Sequence, residues 1–256
     1  MPGFEGLSSG TIVWIAAVMA LAGVMQGALG LGFPTVATPL IALAADMRTA
    51  ILLVLLPCLA TVALNLFRGG PVRPVLARFW TMPCYMLLGA AAGTRLFVAY
   101  PEFPYALLLA AIILLYLNLD RLGRTEWPLV ARHAGLSAAV FGLAAGLSEG
   151  TANVASPPLI VYYLAIGTSP LVLVQALNLC FLAGKSMQFL TLATAGGVEP
   201  VQWLVTLPLA VIAALGTLAG IRIRDRIDAA TYRRWLKGAL LVMAGLLVVQ
   251  QAWSRG

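Results

Sequence analysis

The 256-residue chain is 61% hydrophobic and only 10% charged, with a mean hydropathy of +0.96. A soluble domain carries about 25% charged residues, so this composition excludes one and points to a polytopic membrane protein. The net charge of +7 is no nucleic-acid signature, because the arginines sit in short connections between apolar runs rather than on one basic face.

The first ten residues, MPGFEGLSSG, contain no Lys or Arg, so the basic n-region of a signal peptide is missing. The first apolar run is therefore expected to be a retained helix. Runs suited to membrane helices follow at roughly 11–30, 33–45, 49–67, 79–97 and 104–119. A second series lies at roughly 134–148, 152–166, 169–193, 201–221 and 232–251. The short pieces FPTVATPLIALAA and ANVASPPLIVYYLAI either cross as Pro-interrupted helices or turn back as re-entrant segments.

These two series are copies of one unit. QGALGLGFPTVATPLI (26–41) aligns without gaps on AGLSEGTANVASPPLI (145–160), GAAAGTR (89–95) on GTLAGIR (216–222), and Tyr105 on Tyr232. The chain accordingly divides into an N-terminal transmembrane repeat, 1–122, and a C-terminal one, 123–256. The connections 68–78, 118–133 and 222–237 hold most of the arginines, whereas 194–200 holds only Glu199. If the short pieces cross, all three basic connections fall on one side, as the positive-inside rule requires. With five crossings per unit the halves are inverted, an architecture common in secondary transporters. The expected fold is thus all-α, with two inverted repeats of about five segments and Pro/Gly-interrupted helices at the midplane.

Polar residues inside the apolar runs carry the chemistry. The stretches Gly27–Pro34 and Gly146–Asn153 read as matched helix breaks, tolerated in a bilayer only where they line a cavity or are buried in protein. Helices restarting after them would aim free N–H groups and a partial positive charge inward, which suits an anion. The first break offers Gln26, Gly30, Gly32 and Thr35, and the second Glu149, Thr151 and Asn153. Lys185, deep within LVLVQALNLCFLAGKSMQFLTLATAGG, would cost about 2.5–3.5 kcal/mol if charged and unpaired at the bilayer centre. It needs an anion, whether Glu149, a substrate, or each in turn. Asn178 and Gln188 fall on its helix face, and Asn65 is its counterpart in the first repeat. Glu149 is the candidate proton carrier. The glycines of GAAAG and GTLAG read instead as close helix packing.

Other chemistries find no support. The Gly-x-Ser-x-Gly frame at 146–150 lacks a base, because the only histidine, His133, is about 22 Å away along a helix. The first copy has Leu29 where Ser148 stands. Cys58, Cys84 and Cys180 lie in apolar runs without CxxC spacing, so free thiols are expected, with no metal and no cofactor. No ATP-binding Gly-x4-Gly-Lys-Ser/Thr loop is present.

At the Gly-rich stretches followed by Pro39-Leu40-Ile41 and Pro158-Leu159-Ile160, and at the Gly-x-x-x-Gly-x-Arg endings, the chain resembles the sulfite exporter TauE/SafE family, or toluene-sulfonate uptake permeases. The resemblance covers nearly the whole chain. Phe33-Pro34 and Thr151-Ala152-Asn153 depart from the denser glycine run of the family. The resemblance implies no enzyme but a bacterial inner-membrane carrier of small sulfur anions, such as sulfite or sulfoacetate-like organosulfonates. Export is the expected direction, with membrane lipids around the protein and a homodimer as one assembly open to it. A channel-like or metal-ion conduit is the alternative, but it would call for a ring of carboxylates or carbonyls.

Overall fold

The computed structural model describes residues 8–122, 128–195 and 200–224, and no strand occurs among them. Its helices are α1 (Ser9–Leu29), α2 (Phe33–Ala42), α3 (Met47–Arg68), α4 (Val72–Phe79), α5 (Thr81–Ala99) and α6 (Tyr105–Leu122). Then follow α7 (Pro128–Arg132), α8 (Ala134–Ala152), α9 (Ser156–Ala165), α10 (Pro170–Thr194) and α11 (Pro200–Ile223). Among the described residues five stretches are long and apolar enough to span a membrane: α1, α3, α5, α10 and Thr206–Ile223 within α11. Helix α8, of 19 residues like α5, is apolar as well but is not among these five. The expected run 232–251, Tyr232, Glu199 and the basic residues from Arg226 to Lys237 lie outside the described residues.

Both expected breaks exist, but they are not at matching places in the aligned motifs. The first leaves α1 through Gly30 (φ 79°) and enters α2 through Gly32 (φ 108°). This left-handed backbone is one that glycine adopts without steric cost. The second begins only at Asn153 (φ 63°), because residues 146–152 remain helical. Gly146 and Gly150 serve packing instead of turning: a Cβ on either would overlap backbone of α5, at Met86 and Ala90 or at Thr94. The hydroxyls of Ser148 and Thr151 bond back to carbonyls of their own helix, at Ala144 and Leu147. Asn, which tolerates the left-handed conformation better than other chiral residues, is the first residue after them able to make the turn.

The helices therefore recur at a spacing one turn longer than the motifs suggest. Gly30 and Asn153, Phe33 and Ser156, and Met47 and Pro170 each lie 123 residues apart. By this register Glu149 stands where Gln26 stands, and Gln188 where Asn65 stands. Lys185 is thus the counterpart of Val62 and not of Asn65.

Helix directions follow from who meets whom. Along α5 and α8, Met82 meets Gly142, Met86 meets Gly146 and Thr94 meets Gly150, so these two run parallel. Along α1 and α11, Ala20 meets Gly216 and Val24 meets Gly220, again in parallel. Helices α3 and α10 run antiparallel, since Gln175 bonds Leu66 while Leu192 packs on Leu52 and Leu55. Arg224 joins the C-terminal ends of α1 and α3 to that of α11. One set, α1, α3 and α11, thus opposes a second, α5, α8 and α10.

Short helices α2 and α9 turn back along the helices before them. Trp14 Nε1 donates to Leu40 O at 3.1 Å, and Tyr162 OH donates to Ala134 O at 3.3 Å. Ten residues of helix reach about 15 Å, half of a hydrocarbon layer about 30 Å thick. Each short helix is a half-length return that lets α1 and α3 point the same way. Arg68, Arg73, Arg78, Arg132, Arg222 and Arg224 consequently gather at one end of the bundle, as the charge pattern anticipates. The opposite end carries Asp46, Arg48 and Glu102, around a cavity of about 350 Å³.

Glycine makes the two parallel contacts possible. A Cβ on Gly89, Gly93, Gly216 or Gly220 would strike a backbone carbonyl of the facing helix, at Leu143, Leu147, Ala20 and Val24 respectively. Without such close approach, little besides van der Waals packing holds apolar helices together in lipid. Gly220→Val and Gly146→Val should each destabilise the protein by about 1–3 kcal/mol or more through overpacking. Gly135→Ala, with nothing within 4 Å of its added Cβ, should be neutral or slightly stabilising. Thermal unfolding of the purified protein in detergent measures all three, and unchanged melting of Gly220→Val would disprove the close α1–α11 contact.

Candidate functional site

Polar side chains that the sequence scatters from Gln26 to Arg224 converge in two largely buried clusters, both built on α10. The first surrounds Lys185, which is fully buried, as are Glu149, Asn153 and Gln188. Its Nζ lies 2.6 Å from Glu149 Oε1. It also donates to Gln188 Oε1 at 3.0 Å and to Asn153 Oδ1. An ammonium group has three N–H donors, so this environment supplies one acceptor for each. Two of them, from Glu149 and Asn153, come from the last turn of α8 and the break after it.

The surroundings lock these acceptors in place. Asn153 donates its backbone N–H to Glu149 O, which keeps the left-handed turn, and its Nδ2 to Thr38 Oγ1 of α2 at 2.8 Å. Gln188 Nε2 donates to Glu149 O at 3.3 Å. Glu149 itself is held by charge more than by hydrogen bonds, since Oε2 has no bonding partner among the described residues.

The second cluster lies about 10 Å further along α10, from the seven-residue offset of Asn178 and ~1.5 Å rise. Gln26 Oε1 accepts the Phe33 N–H at 2.9 Å, and its Nε2 donates to Asn178 Oδ1 at 3.0 Å. Asn178 Nδ2 donates to Gly30 O at 2.6 Å, and Asn65 Nδ2 donates to Gln26 O at 2.6 Å. Arg224 closes the cluster from the arginine-bearing end. Its Nε and Nη2 donate to Gly27 O at 3.2 and 2.9 Å, and Nη2 also reaches Asn65 Oδ1 at 3.3 Å.

The expected site residues thus separate. Lys185, Glu149, Asn153 and Gln188 form one group; Gln26, Gly30, Asn65 and Asn178 form the other. Gly32 caps the start of α2. Thr35 is buried and its hydroxyl has no partner among the described residues, whereas Thr151 spends its hydroxyl on its own helix. The helix N-termini offer less than the sequence implies. The α2 terminus is closed by Gln26, and α9 begins Ser156-Pro157-Pro158, where the prolines have no N–H to give. Positive charge on lysine and arginine therefore takes the place of backbone donors. Two participants escaped the sequence reading. Thr38 aligns with Pro157 and gave no polar signal, and Arg224 counted only as a topology marker.

The buried lysine thus sits at the second helix break, inside a bundle of two opposed helix sets. A family model described as "Sulfite exporter TauE/SafE" matches residues 15–247. The chain belongs to the sulfite exporter TauE/SafE family. As a TauE/SafE protein it is a multi-pass membrane transporter of sulfite or related anions and not an enzyme. No curated protein and no solved structure matches it significantly.

The ion pair makes a sharp stability prediction. Removing one partner of a buried pair costs about 3–5 kcal/mol, because the other charge is stranded. Glu149→Ala should lose stability on that scale. Glu149→Gln should lose less, since its amide oxygen still accepts from Lys185. Glu149→Leu combined with Lys185→Met should recover most of the loss. Denaturation of the purified variants measures this, and a double variant no better than Glu149→Ala would refute the pairing.

Proposed function

We propose that this protein is a secondary carrier that exports a small sulfur monoanion, such as hydrogen sulfite or a short sulfonate, bound at Lys185. The observation that carries this reading is the fully buried Lys185–Glu149 pair at the second break. A buried ammonium has to be neutralised, and a carboxylate can be exchanged for a sulfur oxyanion that offers similar oxygens to the same donors. Asn153 and Gln188 remain to orient the lysine. Thr38 links the break to α2, so a change at the ammonium reaches a second half-length helix.

Charge balance defines the coupling. With Glu149 ionised and no substrate bound, the core is neutral. With a monoanion on Lys185, the core is neutral only if Glu149 holds a proton. One anion and one proton then move together, and the carrier changes its facing without dragging net charge through the hydrocarbon, where charge is costly. Transport in this scheme responds to a pH gradient and is indifferent to membrane potential. Because anion and proton leave together, export runs down the substrate's own gradient and is opposed by an inward proton gradient.

The recurrence at 123 residues and the opposed helix sets support reading 1–122 and 123–256 as inverted repeats that rock about the two breaks. The arginine-bearing end then faces the cytoplasm of a bacterial inner membrane, by the positive-inside rule.

Proteoliposome flux of sulfite tests this. Lys185→Met should reduce flux by roughly tenfold or more, the loss expected when a charge-assisted bond to the substrate is removed. Glu149→Gln should leave residual flux that no longer follows the pH gradient. In the unmodified protein a potassium–valinomycin potential should leave the rate unchanged. Undiminished flux in Lys185→Met would remove the lysine from the substrate site, and strong potential dependence would overturn the one-to-one coupling.

A further inference from the structure

We infer that the cluster around Arg224 is a second anion station, taking the same class of oxyanion at the arginine-bearing end before or after it visits Lys185. The inference rests on the anion-carrier reading above and adds a site to it.

The observation behind it is a half-buried guanidinium with no counter-ion among the described residues. Among the described residues no carboxylate pairs with Arg224. Its bonds go to the carbonyl of Gly27 and the amide oxygen of Asn65. Charges withdrawn from water are normally paired. Here the position that carries the acid in the other cluster, Glu149, is occupied by Gln26. The two clusters share their frame: Asn65 Nδ2 donates to Gln26 O as Gln188 Nε2 donates to Glu149 O, both ahead of a left-handed helix end. In one copy the cation has an internal anion. In the other copy no carboxylate among the described residues pairs with the cation.

The chemistry fits an oxyanion. Guanidinium offers five N–H donors in a planar fork that matches two oxygens of a sulfonate or sulfite. Bonds to a charged acceptor are roughly twice as strong as those to neutral carbonyls, so an arriving anion competes well against Gly27 O and Asn65 Oδ1. Room exists at the same break. Buried Gly32 has nothing within 4 Å of where a Cβ would stand, and Thr35 keeps a buried, unpartnered hydroxyl. Drawing Arg224 onto an anion also releases α11 from the ends of α1 and α3, so occupancy of this station loosens the bundle at that end.

The competing account is that Arg224 merely caps the C-terminal carbonyls of α1. Titrating sulfite by calorimetry into the full-length protein in nanodiscs separates the two. Unmodified protein should bind two anions per chain, and Lys185→Met should retain the Arg224 station alone. Arg224→Gln should weaken that station by roughly tenfold to a hundredfold, the range for charge-assisted bonds. Asn65→Asp supplies Arg224 with an internal carboxylate. It should silence the station while keeping Arg224 on Gly27, and it decides the matter if Arg224→Gln fails to fold. Sulfite binding of unmodified strength at this station in Asn65→Asp, or in a folded Arg224→Gln, overturns the proposal in favour of a cap. Loss of all binding in Lys185→Met leaves one site and overturns it as well. Loss confined to the Arg224 and Asn65 variants, with Lys185→Met unchanged, upholds this station and instead defeats the assignment of Lys185.

Discussion

The cost of holding one ammonium group in the middle of a hydrocarbon-embedded bundle shapes much of this protein. Lys185 has no water to turn to, so each of its three protons needs a fixed acceptor. Supplying them calls for a carboxylate, two amides, a helix that ends in the core and a left-handed asparagine at its end. Thr38 and Gln188 then serve the acceptors themselves. A lysine this completely served is held in one geometry by the pair, and in the proposed mechanism protonation of Glu149 frees it for an anion.

That constraint explains the unequal halves. Both halves end a helix inside the bundle, place an amide-bearing residue of the following long helix on the last-turn carbonyl, and return the chain through a ten-residue helix. Only the buried cluster of the second half holds charge of both signs from its own repeat. The first keeps the same scaffold with Gln26 in the acid's place and borrows its cation from the far end of α11. A shared frame with different charge is what a pathway needs if it is to pass an anion along without holding it too tightly at either point.

Packing and chemistry use glycine for different purposes, and this is where the motifs mislead. In the first break Gly30 and Gly32 turn the chain. In the second, Gly146 and Gly150 remain helical and let α5 approach, and the turn falls one helical turn later on Asn153. Motif similarity aligned glycine with glycine, although the two sets answer to different forces. Residue pairings inferred from that alignment, such as Asn65 with Lys185, shift accordingly.

The sequence by itself determined that the chain lives in a membrane, that it is helical, that its arginines mark one end and that Lys185 needs an anion. Each of these follows from local composition or from the solvation of a single side chain, which apolar surroundings fix whatever the fold. Glu149 was legible as the partner because so few acids lie within apolar runs. Tertiary structure alone decided the rest. Hydrogen bonds and ion pairs act over about 3 Å, and which of many scattered amides come that close depends on helix direction and register. A shift of one turn made Gln26 the counterpart of Glu149 in a separate cluster, and the parallel course of α1 and α11 brought Arg224 to the first break. No pattern along the chain encodes either outcome.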